Sequence, residues 1–364
     1  MTATSAAPGA SPRLLVVRND KLGDFMLAWP ALARLKAASP VPQVSVLVPA
    51  YTAPMARLCP WVDQVLIDPG EHASRTELRR LLAAVKAARF DALLTLFSTP
   101  RIGWLGWRAG IPLRLAPATK WVQLFYNRRV VQRRSRSEKP EYRYNQELAE
   151  ALLGELGLIP DAAPEPPYWP LPASERGAQR RRLTEELGLD PVRPWVFLHG
   201  GSGGSAVNLS SAQFARLVRE VDARLAGEGR AQWVLTAGPG ETATAEAIAA
   251  PLREAGIEAH HLPPRAGLDD FAHTLAAADL FVAGSTGPLH IAGCLDIATA
   301  GFYPAHRSAT PLRWQTCNRA GHRLAFCPPE GAGEQEMTSI DLDAAAAAIS
   351  DLLRRLPAAV TSGS

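Results

Sequence analysis

The chain has 364 residues, 47% of them hydrophobic and 20% charged, with a formal net charge of +4. This length suits two domains that each bury a core of their own. The absence of a run of eighteen apolar residues excludes a membrane-spanning helix, and the four cysteines lack the C-x-x-C spacing of common zinc sites. We therefore expect two α/β domains in a cytoplasmic protein whose thiols are isolated and buried.

The charge is distributed unevenly along the chain. Residues 1–160 contain 22 Lys/Arg and 12 Asp/Glu, a net charge of +10, and the rest of the chain carries 17 against 23, or −6. Eleven of the basic residues lie between Arg101 and Arg143, where the acidic residues are Glu138 and Glu141. A field of this sign attracts phosphates, whether on nucleic acid, anionic lipid or a phosphorylated sugar.

The first predicted element follows a leader, residues 1–12, which lacks the features of a secretory signal and which we expect to be disordered. The strand R-L-L-V-V-R, the loop N-D-K-L-G-D and an apolar helix come next. Asp24 falls at the first residues of this helix, at the carboxyl edge of a parallel sheet, where open α/β sheets place their ligands. From these residues alone, Asp24 is either a helix N-cap or a functional carboxylate.

Three further strand-helix units complete a first domain, predicted over residues 13–158. Strands separated by helix-length segments predict a parallel sheet with helices on both faces. The units pair V-S-V-L-V with Tyr51 to Leu58, Q-V-L-I with Arg75 to Ala88, and D-A-L-L-T-L with Arg101 to Ala109. Proline then clusters between Ile159 and Pro172, which favours extended backbone, and we place the interdomain linker at residues 159–173.

The pattern restarts in a second domain, predicted over residues 174–340. A helix over Ser174 to Leu187 precedes the strand P-W-V-F-L-H and the turn G-G-S-G-G-S-A. Further units begin with Q-W-V-L-T-A-G and a helix from Glu241, Glu258 to Leu262 and a helix from Leu268, and D-L-F-V-A and a helix from Pro288. This is a second Rossmann-like layer, followed by a helix at residues 341–357 and a disordered tail at 358–364.

The glycine-rich turn can cradle phosphate with its exposed amides, ahead of a helix that we expect to start at Ser210 or Ser211. Gly201, Gly203 and Ala206 also fit the dinucleotide fingerprint G-x-G-x-x-A. A dinucleotide site would require an acidic residue at the end of the next strand, which instead ends in A-G-P. The sequence therefore favours a phosphate site other than that for NAD.

A second anion site is predicted in A-G-S-T-G-P-L-H, where Ser285, Thr286 and Gly287 precede a helix opened by Pro288. His290 in this helix is either a structural residue or a phosphate contact. Glu241 begins another helix, where its carboxylate either complements the helix dipole or accepts the hydroxyls of a ribose.

Together these motifs resemble those of the heptosyltransferases of glycosyltransferase family nine, across both domains. The first motif matches at Arg18, at the Leu-Gly-Asp of residues 22–24 and at the Pro-Ala-Leu of residues 30–32. The resemblance implies a GT-B fold, with two Rossmann-like domains whose parallel sheets face each other across a cleft. It also implies that Asp24 is the catalytic base, a role for which an ionised aspartate is suited.

The resemblance further implies that the second domain binds a nucleotide sugar. Val207 occupies a position where the family usually has a lysine, and the loss of that cation removes a contact worth about 1.5–3 kcal/mol. Ser285 similarly replaces a frequent aspartate. The implied donor-binding residues are Gly201, Ser202, Gly203, Gly204, Ser205, Asn208, Glu241, Ser285, Thr286, Gly287, Pro288 and His290.

For the basic segment, the resemblance implies an anionic acceptor bound by the first domain. Trp104, Trp107 and Trp121 would let this domain rest on a membrane surface. A mixture of arginines and aromatics also suits single-stranded nucleic acid, although no recognisable motif for it is present. The candidate acceptor-binding residues are Arg18, Arg101, Arg108, Lys120, Arg128 and Arg129.

We therefore expect an inverting, metal-independent transfer of a heptose from a nucleotide diphosphate, such as ADP-heptose, to the inner core of lipopolysaccharide. The nucleotide sugar would be the co-substrate and no cofactor is expected. The predicted partners are that donor, the lipopolysaccharide acceptor and the inner face of the inner membrane, without nucleic acid. The alternatives are a relative that uses another ADP- or UDP-sugar, and a nucleotide-sugar-binding protein with impaired catalysis.

Overall fold

The structure is a computed structural model that describes residues 11–118, 124–203, 207–226 and 231–356. The chain divides into two compact units. The amino-terminal unit comprises residues 1–134 and 139–168, and the carboxy-terminal unit comprises residues 135–138 and 169–364. Each unit is an α/β layer structure, as the alternation of predicted strands and helices indicated.

The amino-terminal unit is built on a six-stranded parallel sheet with the order β4-β3-β1-β5-β6-β7. Leu14 of the central strand is in register with Val44 on one side and Ala92 on the other. Two short strands form a separate antiparallel pair, β2 with β8. The strands are β1 (Arg13–Val17), β2 (Ala38–Ser39), β3 (Gln43–Pro49), β4 (Gln64–Asp68), β5 (Ala92–Thr95), β6 (Leu113–Pro117), β7 (Arg128–Val130) and β8 (Ile159–Pro160).

Helices cover this sheet because its central strands are apolar on both of their faces, with Leu14, Leu15, Val16 and Val17 of β1 all buried. Leu15 and Val17 of β1 pack in one buried cluster with Ile102 and Leu105. Burial of each such side chain contributes about 1.5–3 kcal/mol, so the cluster fixes the helices against the strands. The helices are α1 (Leu22–Met26), α2 (Trp29–Lys36), α3 (Ala53–Leu58), α4 (Arg75–Ala88), α5 (Pro100–Ala109) and α6 (Glu141–Leu156).

The apolar helix predicted after the first loop is divided into two. It ends at Met26 and restarts at Trp29, with Pro30 in the first turn of α2. Proline has no backbone N–H and its ring clashes with a preceding helical turn, which explains the break. The first part, α1, includes Asp24, as predicted.

The carboxy-terminal unit repeats this arrangement with a six-stranded parallel sheet in the order β11-β10-β9-β12-β13-β14. On one face, Trp233 and Leu235 of β10 pack with Phe214 and Ile248 in a large buried cluster. The strands are β9 (Trp195–His199), β10 (Gln232–Thr236), β11 (Ala259–His261), β12 (Leu280–Gly284), β13 (Ala298–Phe302) and β14 (Arg323–Phe326).

The helices of this unit begin close to their predicted positions. The start of α8 is confirmed, because Ser210 is its N-cap and forms a capping box with Gln213. The helices are α7 (Ala173–Leu187), α8 (Ser211–Arg224), α9 (Thr242–Glu254), α10 (Leu268–Leu275), α11 (Gly287–Cys294), α12 (Pro311–Trp314) and α13 (Leu342–Arg355). Across the described residues of both units, short 3-10 helices are formed by Ala50–Thr52, Arg134–Arg136, Ala320–His322 and Met337–Ser339.

The proline-rich segment is fastened at both of its ends. Its first residues form β8, and the indole Nε1 of Trp61 donates to the carbonyl of Tyr168 at 2.7 Å. The next residue, Trp169, donates its N–H to the carbonyl of Cys294 at 2.8 Å. The boundary between the two units falls between Tyr168 and Trp169, within the segment predicted as a linker.

Three of the four cysteines are buried, as predicted, and Cys327 is partly exposed. Cys294 and Cys317 are not isolated, because their Sγ atoms lie 3.6 Å apart. In the described residues, we find no helix with the length and apolar character needed to cross a bilayer.

Candidate active site

Both sheets reverse their strand order at the centre, between β1 and β5 in one unit and between β9 and β12 in the other. Open α/β sheets bind ligands outside the carboxyl ends of the strands at such reversal points. Two loops in each unit therefore mark a candidate ligand position, those after β1 and β5 in the amino-terminal unit and those after β9 and β12 in the carboxy-terminal unit. The sequence motifs singled out above lie in the loops after β1, β9 and β12.

In the loop after β1, Arg18 holds Asp24. The Arg18 side chain is 3% exposed, and its Nη2 lies 2.5 Å from Oδ1 of Asp24, which is 13% exposed. The N-cap of α1 is Lys21, without a side-chain capping bond. The N-cap alternative for Asp24 is therefore wrong, because its carboxylate is bound by a guanidinium and is not the cap of the helix.

The same arginine holds a second carboxylate that the sequence analysis missed. Arg18 Nε lies 2.8 Å from Oδ1 of Asp20. Burial raises the pKa of Asp20 to about 6, which the Arg18 charge opposes and the Asp24 charge reinforces. Burial alone would lower the pKa of Arg18, but the carboxylates of Asp20, Asp24 and Glu141 raise it, so Arg18 stays cationic.

A second polar cluster joins the loop after β1, the end of β4 and the first turn of α5. Asn19 donates to Oδ2 of Asp68 at 2.6 Å, and Arg101 Nη2 contacts the same oxygen at 2.5 Å. Burial raises the pKa of Asp68. The hydrogen bonds from Arg101, Asn19 and the Gly70 N–H lower this pKa by a larger amount, so the net shift is downward. Asp68 ends the strand Q-V-L-I-D, and an acidic residue at the carboxyl end of a predicted strand is the signal that could have identified it.

The predicted acceptor residues occupy different places. Arg18 is buried, and its nitrogens contact carboxylates of the protein itself and not an acceptor substrate. Arg101 is paired with Asp68. Arg108 and Arg129 are exposed, and Arg128 Nε lies 2.5 Å from Glu155. Lys120 lies outside the described residues, as does Trp121; Trp104 and Trp107 are 39% and 55% exposed.

In the carboxy-terminal unit, Glu241 binds the glycine-rich loop. Its Oε1 accepts the Gly203 N–H at 2.7 Å, and its Oε2 accepts the Gly238 N–H at 2.9 Å. Burial raises the pKa of Glu241, but these amide bonds outweigh it and the net shift is downward, so the group is ionised at neutral pH. An amide that we predicted to bind phosphate is therefore occupied by a carboxylate of the protein itself.

Two other residues shape this loop. A Cβ at Gly201 would lie 1.9 Å from Oε2 of Glu241, so a larger residue there would displace the carboxylate. Asn208 donates to the carbonyls of Gly200 and Gly201 at 3.1 and 3.2 Å, and its side chain packs on Gly284 at the end of β12. Asn208 thus ties the loop after β9 to the loop after β12.

The remaining residues of the glycine-rich loop differ in exposure and in their contacts. Ser202 is partly exposed, and Gly204 and Ser205 lie outside the described residues. Val207 is half-buried and packs against the core of the unit, so the apolar residue at this position has a structural contact. His199 lies with Nε2 3.5 Å from Glu241, and burial lowers its pKa against the opposing effect of that carboxylate.

The loop after β12 leads into α11, which begins at Gly287, one residue before the predicted Pro288. Ser285 donates its N–H to the Phe302 carbonyl at 3.2 Å. The buried atoms Thr286 Oγ1 and His290 Nδ1 have no hydrogen-bond partner among the described residues. Burial lowers the pKa of His290 to about 4, so its imidazole is neutral at pH 7. Within the described ranges, His, Cys, Asp and Glu side chains form no group of three that could hold a metal ion.

Comparisons with known proteins agree on one family. The model of glycosyltransferase family 9 (heptosyltransferase) matches residues 78–320. A protein of Haemophilus influenzae with the provisional name of glycosyltransferase is 47% identical over 345 residues, which cover 94% of this chain and 97% of that protein. Lipopolysaccharide heptosyltransferase 2 of Salmonella typhimurium is 25% identical over 311 residues, 82% of this chain and 85% of that protein.

The fold agrees with the same family. The structure of the E. coli ADP-heptose lipopolysaccharide heptosyltransferase II matches this chain with a TM-score of 0.73 at 19% identity, covering 94% of this chain and 99% of that chain. This likeness confirms the predicted GT-B fold with its two Rossmann-like units. Because the family model matches well over half of the chain and a relative is 47% identical along nearly all of it, the protein belongs to glycosyltransferase family 9, the heptosyltransferase family, and is a glycosyltransferase.

Proposed function

We propose that this enzyme transfers a heptose from ADP-heptose to the inner core of lipopolysaccharide, with inversion at the anomeric carbon and without a metal or another cofactor. The support is membership of the heptosyltransferase family, together with relatives named as lipopolysaccharide heptosyltransferases. The observation that carries the proposal is the Asp24 carboxylate, which is bound to Arg18 and partly exposed at the carboxyl edge of the sheet.

In the proposed reaction, Asp24 is the general base. The acceptor hydroxyl oxygen attacks the anomeric carbon of the donor on the face opposite the diphosphate. The new C–O bond forms, the bond to the diphosphate oxygen breaks, and the hydroxyl proton passes to Asp24. Arg18 contacts Oδ1 of Asp24, so we assign Oδ2 as the oxygen that accepts the proton.

We assign the donor to the carboxy-terminal unit. Amides of the glycine-rich loop and of Thr286 and Gly287 would stabilise the departing diphosphate, because fixed N–H dipoles stabilise charge that develops in the transition state. Glu241 would leave the amide of Gly203 and accept the ribose hydroxyls of the nucleotide. The unpartnered hydroxyl of Thr286 supports a ligand at this loop.

We assign the acceptor to the amino-terminal unit. Arg101, fixed by the buried Asp68, would bind an anionic group of the core, since a guanidinium presents several donors in a rigid plane. The exposed Trp104 and Trp107 lie on α5 with the exposed Arg108, and this combination suits peripheral contact with the anionic inner face of the inner membrane.

The test is release of ADP when the enzyme is incubated with ADP-heptose and a truncated core glycolipid. Asp24→Asn should abolish release while ADP affinity stays unchanged, and a cooperative thermal transition shows that the variant is folded. Asp20→Asn is the matched variant, because Asp20 binds the same guanidinium. Loss of turnover in Asp20→Asn with full turnover in Asp24→Asn would transfer the role of base to Asp20.

Val207 and Ser285 favour a second candidate, a family member that uses another ADP- or UDP-sugar. A thermal-shift screen across ADP-, UDP- and GDP-sugars identifies the preferred donor. Nucleotide binding without release from any donor would indicate a nucleotide-sugar-binding protein with impaired catalysis.

A further inference from the structure

Beneath the loop after β1 lies a buried carboxylate, Glu141, which the proposed chemistry does not use. Glu141 is the first residue of α6 and is 1% exposed. Its Oε1 contacts Nη1 of Arg18 at 3.1 Å and Nη1 of Arg134 at 2.7 Å. One carboxylate oxygen is therefore shared by two guanidinium groups.

Each nitrogen of the Arg18 guanidinium faces a different carboxylate. Nε contacts Asp20, Nη2 contacts Asp24, and Nη1 contacts Glu141. A planar guanidinium whose three nitrogens are all engaged has a fixed orientation. The position of Nη2, and with it that of the Asp24 carboxylate, therefore depends on the contact at Nη1.

Helix α6, which carries Glu141, is also hydrogen-bonded to the residue that follows α1, the helix that contains Asp24. Asn145, fully buried one turn further along α6, donates to the carbonyl of Leu27 at 3.1 Å. Its Oδ1 lies 3.5 Å from Nη1 of Arg18 and 3.4 Å from Nη2 of Arg134. Glu141 is thus held in place by its own helix, whereas Asp20 and Asp24 are on the more exposed side of Arg18.

We propose that Glu141 is a positioning residue for Asp24, which it orients through Arg18. This inference rests on the proposed role of Asp24 as the base. Without the charge at Glu141, Arg18 and Arg134 lose their shared carboxylate, and the Arg18 guanidinium can turn away from Asp24. Small displacements of a catalytic group reduce the rate strongly, so the effect appears in kcat.

The test compares Glu141→Gln with Glu147→Gln. Glu147 lies on the same helix and contacts Lys139 and Gln132, so the matched variant loses the same charge away from Arg18. We expect kcat to fall by about tenfold or more in Glu141→Gln. The KM for ADP-heptose should be unchanged, and Glu147→Gln should change kcat by less than about twofold.

The pH profile separates positioning from a purely structural role. The charged and titratable groups that face Arg18 and Asp24 are Asp20, Glu141, Arg134 and Tyr51. An Arg18 guanidinium that has turned away from Asp24 no longer favours the ionised carboxylate, so the acidic midpoint of kcat/KM should move to higher pH. An unchanged midpoint in Glu141→Gln, with kcat lowered only in proportion to the folded fraction, would overturn the proposal.

A conservative variant covers the case in which Glu141→Gln does not fold. Glu141→Asp keeps the charge but withdraws it by one methylene, so kcat should fall while the acidic midpoint stays in place. Wild-type kcat in Glu141→Asp would argue against the proposal, because a carboxylate that positions Arg18 is sensitive to its distance.

Two further measurements distinguish failure of this inference from failure of the proposed function. In a crystal structure of Glu141→Gln, Arg18 Nη2 should lie more than about 3.5 Å from Asp24, and a retained contact contradicts the inference whether or not ADP-heptose is the donor. A wild-type enzyme that releases no ADP, or full turnover in Asp24→Asn, contradicts the proposed function instead.

Discussion

The contact between Gly201 and Glu241 gives a prediction whose size follows from the structure. In Gly201→Ala, the new Cβ would lie 1.9 Å from Oε2 and 2.1 Å from Cδ of Glu241, far inside van der Waals contact. The carboxylate must therefore leave its place. Its departure removes the bonds that it accepts from the N–H groups of Gly203 and Gly238.

The expected cost is the loss of two hydrogen bonds to a charged group. Such bonds contribute about 1.5–3 kcal/mol each. Gly203 is exposed, so water replaces its lost acceptor, whereas Gly238 is only partly exposed. We expect Gly201→Ala to reduce the free energy of unfolding of the carboxy-terminal unit by about 2–4 kcal/mol.

Urea unfolding followed by tryptophan fluorescence measures this loss, because Trp195 and Trp233 are buried in the same unit. The test is a double-mutant cycle with Glu241→Ala. Once the carboxylate is absent, Gly201→Ala should cost less than about 0.5 kcal/mol more. Gly321→Ala is the control, because a Cβ there meets no atom within 4 Å and should leave stability nearly unchanged. Costs that simply add would refute the reasoning.

Three further outcomes are expected. Burial lowers the pKa of His290 to about 4, below its unfolded value of 6.5, so wild-type stability should fall by about 2 kcal/mol between pH 7 and pH 5, where the unfolded state takes up the proton. Urea unfolding at both pH values should show a smaller fall for His290→Gln. Val207→Lys should tighten ADP binding by about tenfold in calorimetry, because a lysine stem can lie along the core while its ammonium reaches a phosphate. Asp68→Asn should destabilise the amino-terminal unit by about 2 kcal/mol, measured by urea unfolding, since Arg101 and Asn19 lose a charged acceptor; unchanged stability would contradict this.

The elements that follow local chemistry were predictable from the sequence. Helix α4 spans Arg75–Ala88, as predicted, because Ser74 and Glu77 form a capping box ahead of an amphipathic segment. Strand β13 had only a weak signal, since Ala and Gly, which are depleted in strands, supply three of the five residues of A-T-A-G-F. It is a strand because β12 and β14 pair with it on either side.

In the candidate site, too, some features follow from local sequence and others only from the fold. Asp24 could be singled out because its motif is continuous in the sequence. The contacts that hold the site were not predictable where they join distant positions: Glu141 reaches Arg18 from 123 residues away, and Glu241, itself a predicted residue, reaches Gly203 from 38 residues away. Only the fold brings these groups together, so local sequence carries no trace of these contacts.

The buried thiols allow local opening of each unit to be measured through the accessibility of its own cysteines. Cys59 lies in the amino-terminal unit, whereas Cys294 and Cys317 lie in the other, and all three are shielded, unlike Cys327. A thiol-reactive reagent should therefore modify Cys327 first and reach the others only when their own unit opens. The order of alkylation, read by mass spectrometry, then ranks the local stabilities of the two units without any introduced label.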